Sequence, residues 1–294
     1  FNLYALGQPG TGRTTSVRTY LDRIAAEEPV PDDWVYVYNF ADPNQPNAIA
    51  LPPGKATELR RDMQELVNDL LREIPRAFES EDYERQKEAI IREMQEQRNA
   101  IFGRLERKAN ERGFALVKTA MGLGIAPVLN GQILTPETYQ QLDADTQRQF
   151  EEQQALLQTE MAETMRAVRD LEKNTKRRLL EYDREVAGYS VGHMIEELQQ
   201  KYEQIPEIPD YLTAVQKDIV DNVDGFKAQE EEGPGTLTAV MRSGQREALL
   251  KRYAINVIVD NGQQQGAPVI FETNPTYSNL IGRIEHRAEF GALV

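Results

Sequence analysis

The sequence contains no cysteine and only two histidines, His193 and His286. The absence of cysteine excludes disulfides, thiol nucleophiles and cysteine-based zinc sites, and two distant histidines argue against an imidazole metal site. No run approaches the ~20 apolar residues that a membrane-spanning helix needs. Positive charge is scarce as well, because 34 Lys and Arg stand against 48 Asp and Glu, a net charge of −14. We therefore expect neither nucleic acid nor a membrane as a partner.

The two ends are apolar, and residue 1 is Phe rather than Met. Natural termini are usually polar, so we expect the chain to be a piece of a longer protein. At ~150 residues per domain, the 294 residues predict one to three domains.

A glycine-rich stretch follows an apolar run at residues 1–6, which predicts a strand, and precedes a helix predicted over 13–28. This order is typical of a phosphate-binding P-loop, whose glycines turn backbone N–H groups inward at the start of a helix. We expect Thr14 to place its hydroxyl on Mg²⁺ and the loop to bind ATP or ADP. The predicted nucleotide-binding residues are Gly7, Gln8, Pro9, Gly10, Thr11, Gly12, Arg13, Thr14 and Thr15.

Arg13 departs from this pattern, which has lysine at that position. Arginine is wider and planar, so nucleotide binding can survive where hydrolysis does not. A tight turn that binds nothing is the alternative. The candidate acidic metal ligands are Asp260, after a strand predicted over 253–259, and Glu272, at the end of a strand predicted over 267–272. They are read more simply as a turn and a strand end. No catalytic residues are assigned, because no Ser-Lys, Ser-His-Asp or paired-carboxylate set can be assembled.

The centre of the chain predicts a long helical arm. After a strand over 34–40 and a proline-rich loop over 42–55, apolar residues recur at helical spacing from 57 to 112, with a break expected at Pro75. A hairpin is predicted over 114–134, since Asn130-Gly131 separates two apolar runs. Thr135 is expected to cap a second long helix over 136–186. Its thin heptad-like seam favours an antiparallel coiled coil with a β tip over the alternative of a plain helical bundle.

The rest of the chain predicts helices over 189–202 and 211–226, a solvated loop over 230–235, and the two strands already mentioned. The predicted fold class is mainly α with a smaller α/β part. In it, a partial P-loop core is interrupted by the coiled-coil insertion with its hairpin tip. We predict three segments: 1–56 as the first part of the core, 57–200 as the insertion, and 201–294 as the return to the core.

Several motifs together resemble the Lon-like proteases of the LonB and LonC type, in the bacterial branch with a long helical insertion in the ATPase domain. The motifs are Gly7-Gln8-Pro9-Gly10-Thr11-Gly12-Arg13-Thr14-Thr15, Pro31-Asp32-Asp33-Trp34-Val35-Tyr36-Val37-Tyr38-Asn39-Phe40, Asp42-Pro43-Asn44-Gln45-Pro46, Leu51-Pro52-Pro53-Gly54, Ala267-Pro268-Val269-Ile270-Phe271-Glu272-Thr273-Asn274-Pro275-Thr276-Tyr277 and Asn279-Leu280-Ile281-Gly282-Arg283-Ile284-Glu285.

The resemblance implies an AAA+ module joined to a serine–lysine peptidase domain in a homo-oligomeric, cytoplasmic ring that degrades unfolded polypeptides. It implies that Walker B, sensor and lid elements and the protease domain follow the present chain, which should therefore lack peptidase activity. Arginine in the P-loop is usual for this branch, whose members are reported to work without ATP. We expect Tyr277 to serve in packing; gripping polypeptide in a pore is the alternative.

The resemblance also makes the arm a guard at the chamber entrance or a substrate contact. An apolar tip would present Phe114, Leu116, Val117, Ile125, Val128 and Leu129. Alternatively, these residues only hold the tip together or pack on a neighbouring subunit. A non-catalytic gating module with a vestigial P-loop is the competing function. A chromosome-maintenance ATPase is a third, but its arms usually carry a hinge domain or a Cys-x-x-Cys hook, and this chain has no cysteine.

Overall fold

The computed structural model describes residues 3–4, 7–8, 10–119, 122–129, 131–227, 237–282, 288–289 and 292–293. The chain forms two compact units: unit 1 comprises Phe1–Val67 with Ala248–Val294, and unit 2 comprises Asn68–Glu247. The fold is mainly helical with small antiparallel sheets. The three segments expected from the sequence stay a prediction.

The helices are α1 (Arg13–Ala25), α2 (Lys55–Phe78), α3 (Glu81–Glu111), α4 (Pro136–Gln140), α5 (Ala144–Lys201), α6 (Glu207–Asp221), α7 (Leu237–Lys251) and α8 (Tyr277–Ile281). The strands are β1 (Asp33–Val37), β2 (Asn47–Leu51), β3 (Phe114–Thr119), β4 (Gly122–Leu129), β5 (Gln132–Ile133), β6 (Asn256–Val259), β7 (Ala288–Glu289) and β8 (Ala292–Leu293).

Unit 1 is built on a three-stranded sheet in the order β2-β1-β6, with both pairings antiparallel. Residues alternate along β1, so Val35 and Val37 are buried while Trp34 and Tyr36 face outward. This period of two is what a strand with one covered face requires. Within the described residues no sheet has parallel strands, so the parallel α/β core of a P-loop fold is not confirmed.

Several local predictions for unit 1 are wrong. Strand β2 lies inside the segment predicted to be only a loop, because Pro46 and Pro52 flank the strand and leave its backbone free to pair with β1. Residues 267–272 form no strand, and β6 begins only at Asn256. Leu3 and Tyr4 have no regular structure, and the rest of the strand predicted over 1–6 lies outside the described residues.

Unit 2 contains two long helices, α3 and α5, which with their hairpin are called the arm below; the predicted coiled coil stays a prediction. Helices α3 and α5 pack side by side and run antiparallel, because Arg112 contacts Glu160 near one end of the pair and Tyr83 contacts Asp183 near the other. At α3's carboxyl end, β3 and β4 form an antiparallel hairpin, and β5 adds to β4. The Asn-Gly turn is confirmed, since β4 and β5 pair across it and Gly131 has φ 82°. Asn130 itself, like the predicted loop over 230–235, lies outside the described residues.

The helix boundaries in unit 2 differ from those predicted. Thr135 caps only the short α4, and the second long helix begins at Ala144, where Asp143 accepts a hydrogen bond from the Thr146 N–H. This helix, α5, then continues unbroken to Lys201, so the helices predicted over 136–186 and 189–202 are one. Pro75 lies within the last turn of α2, which ends at Phe78.

Packing by α6 explains why α5 continues through two glycines. A Cβ added to Gly188 would come 3.9 Å from Val220, and one added to Gly192 would come 3.9 Å from Gln216. The missing side chains therefore let α6 lie close to α5, and burial there compensates for the weak helix propensity of glycine. The buried residues of this contact are Ala187, Val191, Ile195, Ile208, Leu212, Val215 and Ile219.

Candidate functional site

The glycine-rich loop turns sharply at two of its glycines, and its role as a phosphate cradle stays a prediction. Gly10 and Gly12 have φ of 81° and 69°, the left-handed region that favours glycine. The Thr11 hydroxyl donates to the Gln8 carbonyl at 3.1 Å. The Gly12 carbonyl accepts from the Ser16 N–H, so α1 begins directly after the loop. Pro9 lies outside the described residues.

Arg13 folds back over the beginning of this loop. A Cβ added to Gly7 would coincide with the Arg13 guanidinium, so this planar cation occupies the space beside Gly7. Thr14 and Thr15 are exposed, and α1 has no buried residue. The guanidinium thus takes up room beside the start of the loop. Nucleotide and Mg²⁺ binding stay predictions.

Both candidate acidic metal ligands are engaged in local structure. Asp260 Oδ1 accepts from the Gly262 N–H at 2.9 Å and Oδ2 accepts from the Thr57 hydroxyl at 2.7 Å. These hydrogen bonds, led by that from Gly262, lower the pKa of Asp260. Glu272 accepts from the Asn274 N–H. Among the described residues no group of three His, Asp or Glu is placed to hold a metal ion.

The tip of the arm is held together from inside. Phe114 is 1% exposed and forms a cluster with Ala109 and Leu157, and its ring meets that of Phe150 at 5.6 Å. Of the two roles considered for Phe114, the structure supports the one in which it holds the tip together, because burial of its ring joins the hairpin to the helices. Leu116, Val117, Ile125 and Val128 are half-buried.

Among the described residues of the tip, two large apolar side chains are exposed: Leu129 is 40% exposed and Ile133 is 53% exposed. They lie on β4 and β5, on either side of the Asn-Gly turn. The prediction from the sequence included Leu129 but missed Ile133. Ile133 lies on a strand of two residues, which is too short to show an alternation of apolar and polar residues. Of the tip residues named from the sequence, only Leu129 is thus exposed within the part of the tip that the structure describes.

Ion pairs join the two long helices along the arm. Glu160 lies 3.1 Å from Arg112 and 3.3 Å from Lys108, and Glu93 lies 3.0 Å from Arg178. Burial raises the pKa of Glu160, but the hydrogen bonds from the two cations outweigh it and hold that pKa below its usual value. Each cation of one helix thus faces an acid of the other, and this attraction favours the antiparallel pairing of α3 and α5.

A polar cluster in unit 2 was not predicted. Asp183 accepts from the Tyr83 hydroxyl at 2.8 Å and from Lys227 at 2.7 Å, and the Lys227 ammonium lies 4.6 Å from the centre of the Phe78 ring. Burial, followed by the hydrogen bond to Asp183, raises the pKa of Tyr83. Burial by itself lowers the pKa of Lys227, but its hydrogen bonds to Asp183 and Asp224 outweigh burial, so the pKa is raised above its usual value. Residues so far apart in sequence give no local signal.

Tyr277, the candidate pore residue, begins α8, where Thr276 caps the helix. Tyr277 is 78% exposed, so within the described residues it has little packing, and both of its expected roles stay predictions. In the same part of the chain, none of the helices has a stretch apolar and long enough to cross a membrane.

Two family models match the chain. The Lon-like LonC helical domain matches residues 33–66, which contain β1, β2 and the start of α2. The LonB-like AAA domain matches residues 265–294, which contain α8. The two matches confirm the resemblance to the Lon-like proteases. The matched domains are of the LonC and LonB kinds. No curated protein matches.

Proposed function

We propose that the chain is the AAA+ and helical-arm region of a Lon-like serine protease. In this proposal the arm controls how unfolded polypeptide reaches the chamber of a cytoplasmic homo-oligomeric ring. The matches to a LonC helical domain and a LonB-like AAA domain support the protease class. The observation that carries the gating role is the antiparallel pair α3 and α5, closed at one end by a hairpin with its own small core.

The arm has the length and stiffness that gating requires. Helix α3 has 31 residues and α5 has 58, about 46 Å and 87 Å at 1.5 Å per residue. Ion pairs between the helices, the cap on α3 from Ser80 and the cap on α5 from Asp143 limit fraying. A stiff element with a small apolar end can stop or contact a chain without being pulled apart.

The tip contact can be tested with Leu129 and Ile133 both changed to Ser. A labelled, permanently unfolded polypeptide is titrated with the chain, and fluorescence anisotropy reports the affinity. We expect several-fold weaker binding, because two half-exposed apolar side chains contribute about 1 kcal/mol each when covered.

The matched control changes Leu156 and Leu180, which are 53% and 46% exposed on α5, to Ser. This control should bind as the unaltered chain does. Equal losses in the two variants, or no binding of unfolded polypeptide by the unaltered chain, would contradict a tip contact.

A second candidate function is supported by Arg13: the module works without ATP. With the guanidinium against Gly7, a triphosphate entering the loop would have to displace a planar cation wider than the usual lysine. The engagement of Asp260 and Glu272 in turns also leaves no acidic partner for Mg²⁺ among the candidates from the sequence. In this function the loop positions α1 and binds no nucleotide.

Calorimetric titration with ATP, with and without Mg²⁺, tests this candidate. We expect no binding by the unaltered chain at millimolar ATP and measurable binding by Arg13→Lys, whose thinner side chain opens the loop. Arg18→Lys, on the exposed surface of the same helix, is the control and should behave as the unaltered chain. Mg²⁺-dependent binding by the unaltered chain would instead support the nucleotide-binding function.

A further inference from the structure

One face of α5 carries four exposed cations: Arg166, Arg169, Lys173 and Lys176. Their spacings of 3, 4 and 3 residues put them in a row about 15 Å long. At 3.6 residues per turn, this row points about 130° away from the buried positions Leu157, Val168 and Thr175 that mark the side of α5 facing the core of the arm. We call these four residues the cationic stripe.

The cationic stripe has no counter-ion in the part of the chain that the structure describes. None of its four side chains lies within 4.0 Å of a carboxylate, whereas Lys108, Arg112 and Arg178 on the same arm all do. The nearest acids, Asp170 and Glu172, lie to either side of the row, four residues from Arg166 and Lys176 respectively. This spacing allows pairing on a helix, but neither carboxylate comes within 4.0 Å of a stripe cation. In a chain with 48 acidic and 34 basic residues, four adjacent unpaired cations are an exception to the overall charge.

We propose that the cationic stripe binds an acid-rich segment of an unfolded polypeptide. This proposal rests on the proposed function, in which the arm meets such chains. Neighbouring cations in the row are about 5 Å apart along the axis. Alternate side chains of an extended polypeptide lie about 6.6 Å apart on one face, so acids at alternate positions can each reach a cation.

The surroundings of the stripe favour a short polypeptide over a long polyanion or a membrane. Charges are screened beyond about 8–10 Å, so a short segment experiences mainly the stripe, whereas a long nucleic acid meets a chain of net charge −14. Binding at a lipid surface needs an apolar face with large side chains beside the cations. The large apolar side chains that α5 exposes beside the row, among the described residues, are Met165 and Leu180, 37% and 46% exposed, which are too few to form such a face.

The test uses two labelled peptides of roughly 12 residues, enough to span the stripe when extended. One alternates Glu with Ser and the other alternates Gln with Ser. Each is titrated with the whole chain at about 20 mM and about 300 mM salt, and anisotropy reports the affinity. We expect the Glu peptide to bind more tightly than the Gln peptide, and added salt to remove the difference.

The stripe variant carries Arg166→Gln, Arg169→Gln, Lys173→Gln and Lys176→Gln, since glutamine keeps helix propensity. The matched control carries the same charge change on the other helix: Arg85→Gln, Arg92→Gln, Arg104→Gln and Arg107→Gln. Circular dichroism checks that both remain helical. We expect the stripe variant to bind the Glu peptide about tenfold more weakly, and the control to lose less than about twofold.

Equal losses in both variants would overturn the proposal, because net charge alone would then explain binding. Equal affinity for the two peptides would overturn it while leaving polypeptide binding by the arm intact. If neither peptide binds, and the unfolded polypeptide does not bind at the tip either, the proposed function is overturned as well. Tighter, stripe-dependent binding to phosphatidylserine vesicles or to a 12-nucleotide single strand would reassign the stripe and also overturn the proposal.

Discussion

Asp33 Oδ1 accepts a hydrogen bond of 2.7 Å from the backbone N–H of Asn261, which lies 228 residues later in the chain. Its other oxygen accepts from the Ala56 N–H at 3.0 Å, in the first turn of α2. Asp33 is fully buried, and the side chain of Asn261 donates in turn to the carbonyls of Pro31 and Asp32. One carboxylate therefore joins the two parts of unit 1 that precede and follow unit 2.

Replacing Asp33 with Ala should destabilise unit 1 by about 3 kcal/mol, because two buried N–H groups lose their acceptor. Urea unfolding followed by the fluorescence of Trp34, the one tryptophan of the chain, reports this unit. Asp32→Ala is the control and should change the free energy of unfolding by less than about 0.5 kcal/mol, since the structure uses its main-chain carbonyl. Similar losses in both variants would refute the role of Asp33.

Gly266→Ala should separate the loop after β6 from the end of α1. A Cβ there would overlap the carbonyl oxygen of Ala25, which also accepts a 2.8 Å hydrogen bond from the Ala267 N–H. We expect a loss of about 1–3 kcal/mol and faster hydrogen exchange at the Ala267 amide. Gly103→Ala, where a Cβ on α3 meets open space, should stabilise by up to about 1 kcal/mol. Unchanged exchange at residue 267 would show that the close contact is not maintained.

Phe114→Ala should loosen the tip while leaving the rest of unit 2 folded. Removing a buried aromatic ring from a small cluster costs about 3–5 kcal/mol, and few other buried contacts are available at the tip to offset it. Hydrogen exchange over residues 114–134 should accelerate strongly in this variant. Leu129→Ala serves as the control and should leave the exchange close to that of the unaltered chain. If residues 114–134 stay equally protected from hydrogen exchange in both variants, the cluster is not the origin of tip stability.

The contribution of Glu160 to stability should depend on pH. Its pKa is lower in the folded chain than the ~4.3 of an unfolded glutamate, so its ionised form stabilises the fold above that value. The contribution, about 1 kcal/mol, should then disappear as the pH falls through the folded pKa.

Comparing Glu160→Gln with the unaltered chain at pH 7 and below pH 4 measures the effect. The difference in unfolding free energy should shrink in acid. Glu163→Gln, on the exposed side of the same turn, provides the control and should show no such change. A difference that stays constant with pH would exclude the ion pairs as its source.

The sequence alone predicted features that depend on nearby residues. Helical periodicity located α1, α3 and α6, and the asparagine–glycine pair located one turn. The acidic composition argues against nucleic acid as a partner, which stays a prediction. Side-chain spacing and the conformational freedom of glycine depend on a few neighbouring residues. Net charge depends only on the composition of the chain. The resemblance to Lon-like proteases also came from contiguous motifs.

Only the tertiary structure decided the features that bring distant segments together. Strand β2 forms because β1 lies beside it, and α5 continues through Gly188 and Gly192 because α6 covers them. Phe114 is buried because α5 supplies Leu157, and Asp33 finds its second donor far along the chain. In each case the free energy comes from a partner whose position no local pattern encodes, and only folding brings the two together.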